Sequence, residues 1–362
     1  MPMFEPTSRP MTDYGGFHQS SGIYWRFAPP DVGSLWAGLA EVKGRGMAVR
    51  IRGAGYSMNG SSIPRSGEVL IETKGLDSYV FAHPGTITAG AGATMWDVQR
   101  LLQPFGYELL VLDDGNMAAA TIGGYISAGG FGAQSPRHGG FWECVESIDI
   151  VTLEGAVRTV GRTDPLFPWL FGSMGQLCII VSATLAVRPR SGAGQPFPAG
   201  KRGRVPSSRR TWEKAICFSA FVPRPVWNQA RKELAAIGDR HRHAWLARPA
   251  YACSLPFRHF TPPLIHPGQQ DLVAVGIWGE EPEGGWDHIA IRALDAEFSL
   301  WLRAHPNFRR YAQTELLYPG FDIAAHFGVE CFDRFRDWKT MLDPTGRLAP
   351  GLLDLPARRE SA

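Results

Sequence analysis

The sequence predicts an α+β fold in which strands dominate. Three observations carry this. β-Branched runs at 147–153 and 178–187 have the composition of buried strands, and amphipathic helical stretches stand apart from them. The chain has 362 residues, long enough for two domains or for one domain with a large cap. Its 44% apolar residues can supply a well-buried core.

Taken in order, Asp31 can cap a helix whose Leu35, Trp36 and Leu39 share one face, and the glycines at 44 and 46 end it before a strand at 47–51. Short strands are predicted at 69–71 and 86–89 around the turn 83–85, followed by a helix at 94–102. A first subdomain ends near Asp113-Asp114-Gly115. The strand at 147–153 forms a hairpin with 157–160 through Glu154-Gly155. A helix is predicted at 166–170, then a long buried strand at 178–187. Residues 188–210 carry seven Lys or Arg among Pro, Gly and Ser without periodicity, and they read as a solvated linker rather than an anion-binding patch. Strands at 215–222 and 271–278 with helices at 227–237 and 288–304 make a smaller α+β layer. The segment 311–318 reads as a further strand of that layer, and 332–350 as a helix with a Pro- and Gly-rich tail. No internal repeat is visible.

Two glycine-rich loops are the most informative local feature: Arg52-Gly53-Ala54-Gly55-Tyr56-Ser57-Met58-Asn59-Gly60 and Thr121-Ile122-Gly123-Gly124-Tyr125-Ile126-Ser127-Ala128-Gly129-Gly130-Phe131-Gly132. Glycine lets backbone N–H groups converge on an anion without a Cβ in the way, while Ser57, Asn59, Thr121 and Ser127 add side-chain donors. A large phosphate-bearing cofactor would fit between them. A Rossmann site is the rival, but it needs G-x-G-x-x-G between a strand and a helix. After the strand at 47–51 the glycines run G-x-G-x-x-x-x-G into Ser61-Ser62-Ile63-Pro64, where a helix cannot easily follow. In the second candidate, Gly90-Ala91-Gly92-Ala93-Thr94-Met95, Met95 stands in place of the third glycine.

The net charge of +3 is small for this length, so nothing global argues for nucleic acid or an anionic membrane. Five scattered cysteines without metal spacing point to a reducing compartment, and no His, Cys or carboxylate cluster has the spacing of a metal site. With no basic segment leading into an apolar run, and no apolar stretch of about eighteen residues, a cytoplasmic protein is expected.

At these residues the chain resembles the flavoprotein superfamily named after vanillyl-alcohol oxidase and p-cresol methylhydroxylase (PCMH). The likeness rests on Arg52-Gly53-Ala54-Gly55-Tyr56-Ser57, on Thr121-Ile122-Gly123-Gly124 with Gly129-Gly130-Phe131-Gly132 and Arg137-His138-Gly139, and on Leu342-Asp343-Pro344-Thr345-Gly346-Arg347-Leu348-Ala349-Pro350-Gly351, similar to the C-terminal D-P-x-G-x-x-x-P-G signature. The first loop is most like that of cytokinin dehydrogenases, with decaprenylphosphoryl-ribose oxidase a second relative. The resemblance implies a two-subdomain PCMH-type FAD-binding domain over 1–189, a short cap or substrate domain over 190–320 with the basic linker 190–210, and a segment 321–362 returning to the FAD domain. It implies FAD held by Ile51, Arg52, Gly53, Ala54, Gly55, Tyr56, Ser57, Asn59, Gly60, Gly115, Asn116, Thr121, Gly123, Gly124, Ser127, Gly130 and Ile180. Many members attach FAD through a histidine where this chain has Tyr56, or a cysteine where it has Met117, so non-covalent FAD is expected.

The resemblance also frames the chemistry. Cytokinin dehydrogenases place an aspartate base seven residues before Gly123, where this chain has Asn116, and asparagine cannot take a proton at neutral pH. Cytokinin is therefore not the expected substrate. Ala324-Ala325-His326-Phe327-Gly328 is similar to the H-W-G segment of sugar-lactone and polyol oxidases, which faces the flavin; His326 is the first candidate base. Tyr318, Glu315 and Tyr311 are further candidates, as is the Asp113-Asp114 pair. The expected activity is FAD-dependent oxidation of a C–OH or C–N centre of a small metabolite, with oxygen or another electron acceptor and a pocket that a partner subunit could complete. The alternatives are a non-redox or binding role for a flavin fold, and a nicotinamide-dependent reductase of the same fold.

Overall fold

A computed structural model describes residues 3–83, 85–111, 119–190, 195–206, 214–312 and 323–351. It is α+β and contains three sheets. The first is built from β1 (Glu5–Thr7), β2 (Tyr24–Phe27), β3 (Val49–Arg52) and β4 (Val69–Glu72) in the order β1-β2-β4-β3, with α1 (Val32–Arg45) crossing between β2 and β3. β2 and β3 both run parallel to β4. Asp31 caps α1 by accepting the Ser34 N–H at 2.7 Å, and Gly46 closes it in a left-handed conformation at φ 63°. Leu35, Leu39 and Val42 pack inward. Trp36, expected on the same face, is 46% exposed because it lies to the side of that narrow stripe.

The second sheet is antiparallel throughout. It uses β5 (Ser78–Val80), β6 (Thr86–Gly90), β7 (Tyr107–Leu109), β8 (Val145–Val151), β9 (Val157–Gly161), β10 (Ile179–Pro189) and β11 (Arg202–Arg204). The order is β11-β5-β6-β10-β8-β9, and β7 also pairs with β10, making that long strand its spine. Three helices accompany it: α2 (Met95–Leu102), α3 (Ile122–Ala128) and α4 (Ser135–His138). The expected hairpin is β8 and β9, whereas the helix expected at 166–170 is only a 3-10 turn at Phe167–Trp169 containing Pro168. The basic stretch after β10 is not wholly a solvated linker. β11 adds an edge to β5, and Arg204 clamps it by an ion pair to Asp77 at 2.7 Å and a bond to the Gly75 carbonyl at 3.1 Å.

The third sheet comprises β12 (Ala215–Pro223), β13 (Leu246–Leu255), β14 (Leu272–Glu280) and β15 (Arg309–Arg310) in the order β13-β14-β12-β15, with α5 (Trp227–Arg240) and α6 (His288–Ala304). The period of two sorts its side chains. Ile216, Phe218, Ala220 and Val222 join the core with α5 and α6, whereas Phe221, Leu255, Leu272 and Ala274 join the core of the second sheet. β13 went unpredicted because Pro249 interrupts its pattern; the register shift between Arg248 and Tyr251 accommodates that proline.

Two last helices, α7 (Ile323–Phe327) and α8 (Val329–Leu342), lead back to the first sheet. Val49 N–H donates to the Arg347 carbonyl and Ala349 N–H donates to the Val49 carbonyl, both at 2.8 Å. The D-P-x-G segment thus docks along β3.

Candidate functional site

A cavity of about 920 Å³ lies between the glycine-rich segments of the first two sheets and the inward face of the third. That is the upper end of the range for small-molecule sites and suits a dinucleotide-sized occupant. Of the residues expected to hold a cofactor, Ile51, Gly53, Ala54, Gly55, Tyr56, Ser57, Thr121, Gly123, Gly124, Ser127 and Ile180 line it.

The second glycine loop is largely a helix. Thr121 caps α3 by accepting the Gly124 N–H at 3.2 Å, so Gly123 and Gly124 occupy its first turn. The first loop crosses close above this cap: a Cβ on Gly53 would lie 2.2 Å from Thr121 Oγ1. On Gly55, whose φ is +84°, a Cβ would lie 2.2 Å from the Arg52 guanidinium. Only glycine satisfies both approaches, and the two segments therefore meet as nearly bare backbone.

Several expected cofactor residues serve instead to hold this arrangement from behind. Arg52 donates to Ser62 Oγ at 3.1 Å and to the Thr12 carbonyl at 3.3 Å, and does not line the cavity. Burial is the main cause that lowers its pKa. Asn59 is fully buried, donates to the Ala312 carbonyl at 3.1 Å and accepts the Ser61 N–H at 3.0 Å. Gly60 turns at φ 70° against the His18 ring, and Gly130 follows the turn at Gly129 that ends α3 and lies against the Tyr125 ring. These roles follow from position within the turn, which spacing alone does not reveal. Gly115 and Asn116 lie outside the described residues, as do Asp113, Asp114, Met117, Glu315 and Tyr318.

His326 is not brought to the cavity. Its Nε2 accepts the Arg310 backbone N–H at 2.8 Å. Burial, with the charges of Arg309 and Arg310, pushes its pKa down to about 3. The ring is therefore neutral near neutrality, and the nitrogen that a base would use is already an acceptor. This geometry runs against the expectation that His326 faces the flavin.

Apart from Tyr311, which was a candidate, the opposite wall was missed from sequence. Cys217 and Ser219 on β12, Tyr251 and Cys253 on β13, and Trp278 and Glu280 on β14 line the cavity together with Tyr311. The alternation along 215–222 carried the signal for β12, but without β13 there was no sheet to give its faces meaning. Tyr14, from the N-terminal segment, packs against Tyr56 with ring centroids 4.9 Å apart and the rings tilted by 34°. Burial pushes Tyr56 up to about 12 and the Cys178 thiol up to about 12, so both stay protonated at neutral pH. No Lys, Arg or His stands among the described lining residues. Glu280 is the one carboxylate there, paired with Arg248 at 2.5 Å.

Comparison with known proteins gives this cradle its class. Residues 27–161 match a family model described as FAD binding domain. This stretch is a PCMH-type FAD-binding domain and its cofactor is FAD. The chain is similar to the uncharacterized oxidoreductase ORF5 in fasciation locus of Rhodococcoides fascians, 29% identical over 43% of this chain and 36% of that protein. It is similar to cytokinin dehydrogenase 3 of Oryza sativa subsp. japonica, 27% identical over 50% of this chain and 36% of the relative. A third likeness is to mitochondrial D-2-hydroxyglutarate dehydrogenase of Rattus norvegicus, 26% identical over 40% and 29% of the two chains. The matched region thus spans about a third of the length of these relatives.

The residues fit FAD. With no basic side chain on the described wall, the diphosphate would be met by backbone N–H groups of the two glycine segments and by Ser57 and Thr121. Bound there, FAD supplies two-electron redox chemistry, and the protein supplies its placement and the surrounding electrostatics.

Proposed function

We propose that the protein is an FAD-dependent oxidoreductase that oxidises a C–OH or C–N centre of a small metabolite by hydride transfer to the flavin. The observation that carries this reading is the continuity of one cavity from the glycine cradle to the inward face of the third sheet. A cofactor held at the first wall leaves the second to receive a substrate. The names of the relatives, an oxidoreductase and two dehydrogenases, support the same class. On this reading residues 190–320 form the cap. FAD contact falls to the glycine segments with Tyr56, Ser57, Thr121, Ser127, Ile51 and Ile180. Glu315 and Tyr318 are the candidates to accept the substrate proton. The flavin is dissociable, because the Tyr56 phenol is held protonated and is a poor nucleophile. Five free cysteines support a reducing, cytoplasmic setting. Among the described residues no helix is long and apolar enough to cross a membrane.

The test is direct. Purified protein should be yellow or should acquire a flavin spectrum and a higher melting temperature with added FAD. Under anaerobic conditions, neutral alcohols or amines should bleach the bound flavin, and admitting oxygen or an artificial acceptor should restore it. A chain that gains neither colour nor stability with FAD overturns the reading. Bleaching by NADPH with none by any alcohol or amine would reassign it as a reductase.

A further inference from the structure

The inward face of the third sheet contains one polar device set in an apolar wall. Ser219 on β12 and Tyr251 on β13 are separated by the intervening strand β14, yet their hydroxyls lie 2.6 Å apart. Gly276 makes this possible. It is paired with both Ser219 and Tyr251 in the sheet register, and a Cβ there would sit 2.5 Å from the Tyr251 ring. The phenol therefore lies flat across the glycine to reach the serine.

The protons of this pair can be assigned. Ser219 is fully buried, and Tyr251 is the one hydrogen-bond partner of its hydroxyl among the described residues. If Tyr251 were the donor, the Ser219 proton would be buried without an acceptor, a cost a native core avoids. Ser219 thus donates to Tyr251, and the Tyr251 proton is left to point elsewhere. Tyr251 is partly exposed and lines the cavity. Its pKa is raised well above the usual tyrosine value, chiefly by burial, so the proton stays on.

The surroundings narrow what meets it. Trp278 stands one inward-facing position along β14 from Gly276. On the other side Tyr311, whose N–H donates to the Ser219 carbonyl at 2.8 Å, packs against Phe131 with centroids 5.5 Å apart. The donor is thus flanked by aromatic rings. With no cation on the described wall and Glu280 already paired, a carboxylate or phosphate on the substrate would lose its hydration without compensation.

Resting on the oxidoreductase reading above, we propose that Tyr251 is a specificity-determining residue that donates a hydrogen bond to the substrate, with Ser219 as its positioning residue. The substrate class is an uncharged aromatic alcohol or amine. Anionic hydroxy acids are excluded, unlike the hydroxyglutarate in the name of one relative.

The test uses FAD-loaded protein and perturbation of the bound-flavin absorbance by benzyl alcohol, cinnamyl alcohol, benzylamine, ethylbenzene and benzoate. Benzyl alcohol is expected to bind saturably and benzoate at least tenfold more weakly. Tyr251→Phe should retain FAD and weaken benzyl alcohol about five- to tenfold, the weight of one net hydrogen bond, while leaving its apolar isostere ethylbenzene unchanged. Ser219→Ala should lower the same selectivity, and Ser219→Thr should restore it. Equal effects of Tyr251→Phe on the alcohol and on ethylbenzene would show a merely structural tyrosine and overturn the proposal. So would tighter binding of benzoate, or no perturbation by any neutral aromatic probe. Failure to bind FAD would instead strike the oxidoreductase reading itself.

Discussion

His326 shows how a side chain's local setting decides whether it can do proton chemistry. In sequence it has the right residue type beside the C-terminal signature, but in the structure its Nε2 is committed to the Arg310 N–H. Between about pH 3 and about 6.5 the unfolded chain binds a proton at this histidine and the folded chain does not. The stability it contributes is therefore complete above about pH 6.5 and is lost as the pH falls toward 3. His326→Gln, whose amide oxygen can still accept from Arg310, should melt less acid-sensitively than the parent between about pH 7 and about pH 4.5. Equal melting-temperature slopes for the two proteins would contradict this, and flavin reduction in the variant should stay within a few-fold of the parent. Tyr56 carries the companion prediction. Its phenol, held at about 12 by burial, should not be joined to the cofactor, so acid precipitation should leave the flavin in the supernatant. A denatured chain heavier by the mass of FAD would contradict that.

At the scale of elements, the junction of the first glycine loop with α3 is a tight constraint on the cofactor wall. Gly53→Ala would drive a Cβ into Thr121 Oγ1, displacing the cap that holds the Gly124 N–H. The expected result is loss of FAD retention, read as the ratio of flavin to protein absorbance, with far-ultraviolet circular dichroism little changed. Gly161→Ala at the end of β9 is the matched control, since a Cβ there meets nothing within 4 Å. If both variants hold FAD equally well, the close approach is not what shapes the cradle. The third sheet shows the complementary case, in which β14 is bare at Gly276 so that a phenol from one neighbouring strand can reach a serine on the other.

Across the whole molecule, the C-terminal signature acts as a strap between distant parts of the chain. Lys339 on α8 is buried and donates to the Gln176 carbonyl at 2.8 Å and to Asp343 Oδ2 at 2.7 Å. Asp343 in turn accepts the Leu348 N–H at 2.8 Å, which sets the segment that runs beside β3. Lys339→Met would leave the Asp343 carboxylate buried without its cation. Breaking one side of such a pair costs about 3–5 kcal/mol, and the midpoint of equilibrium denaturation should fall accordingly. A midpoint unchanged from the parent would mean that the backbone donors alone hold Asp343. Because the strap meets the strand that leads into the first glycine loop, the variant should also release FAD more readily.

What the sequence determined by itself was local: the Asp31 cap, the β8–β9 hairpin, the long strand β10 and the glycine segments that mark the cofactor wall. Each rests on the chemistry of a few neighbouring residues, as when Asp31 accepts an N–H three positions on, and such chemistry is written in order along the chain. Tertiary structure alone decided which donors face the cavity. Arg52 and Asn59 belong to the right loop but are drawn behind it by Ser62, Thr12 and Ala312, and two of those three partners lie far away in sequence. The opposite wall was hidden for the same reason. Tyr251, Ser219 and Gly276 come from three strands, and neither their spacing nor their types announces a pair until hydrogen bonding of β14 between β12 and β13 places them side by side.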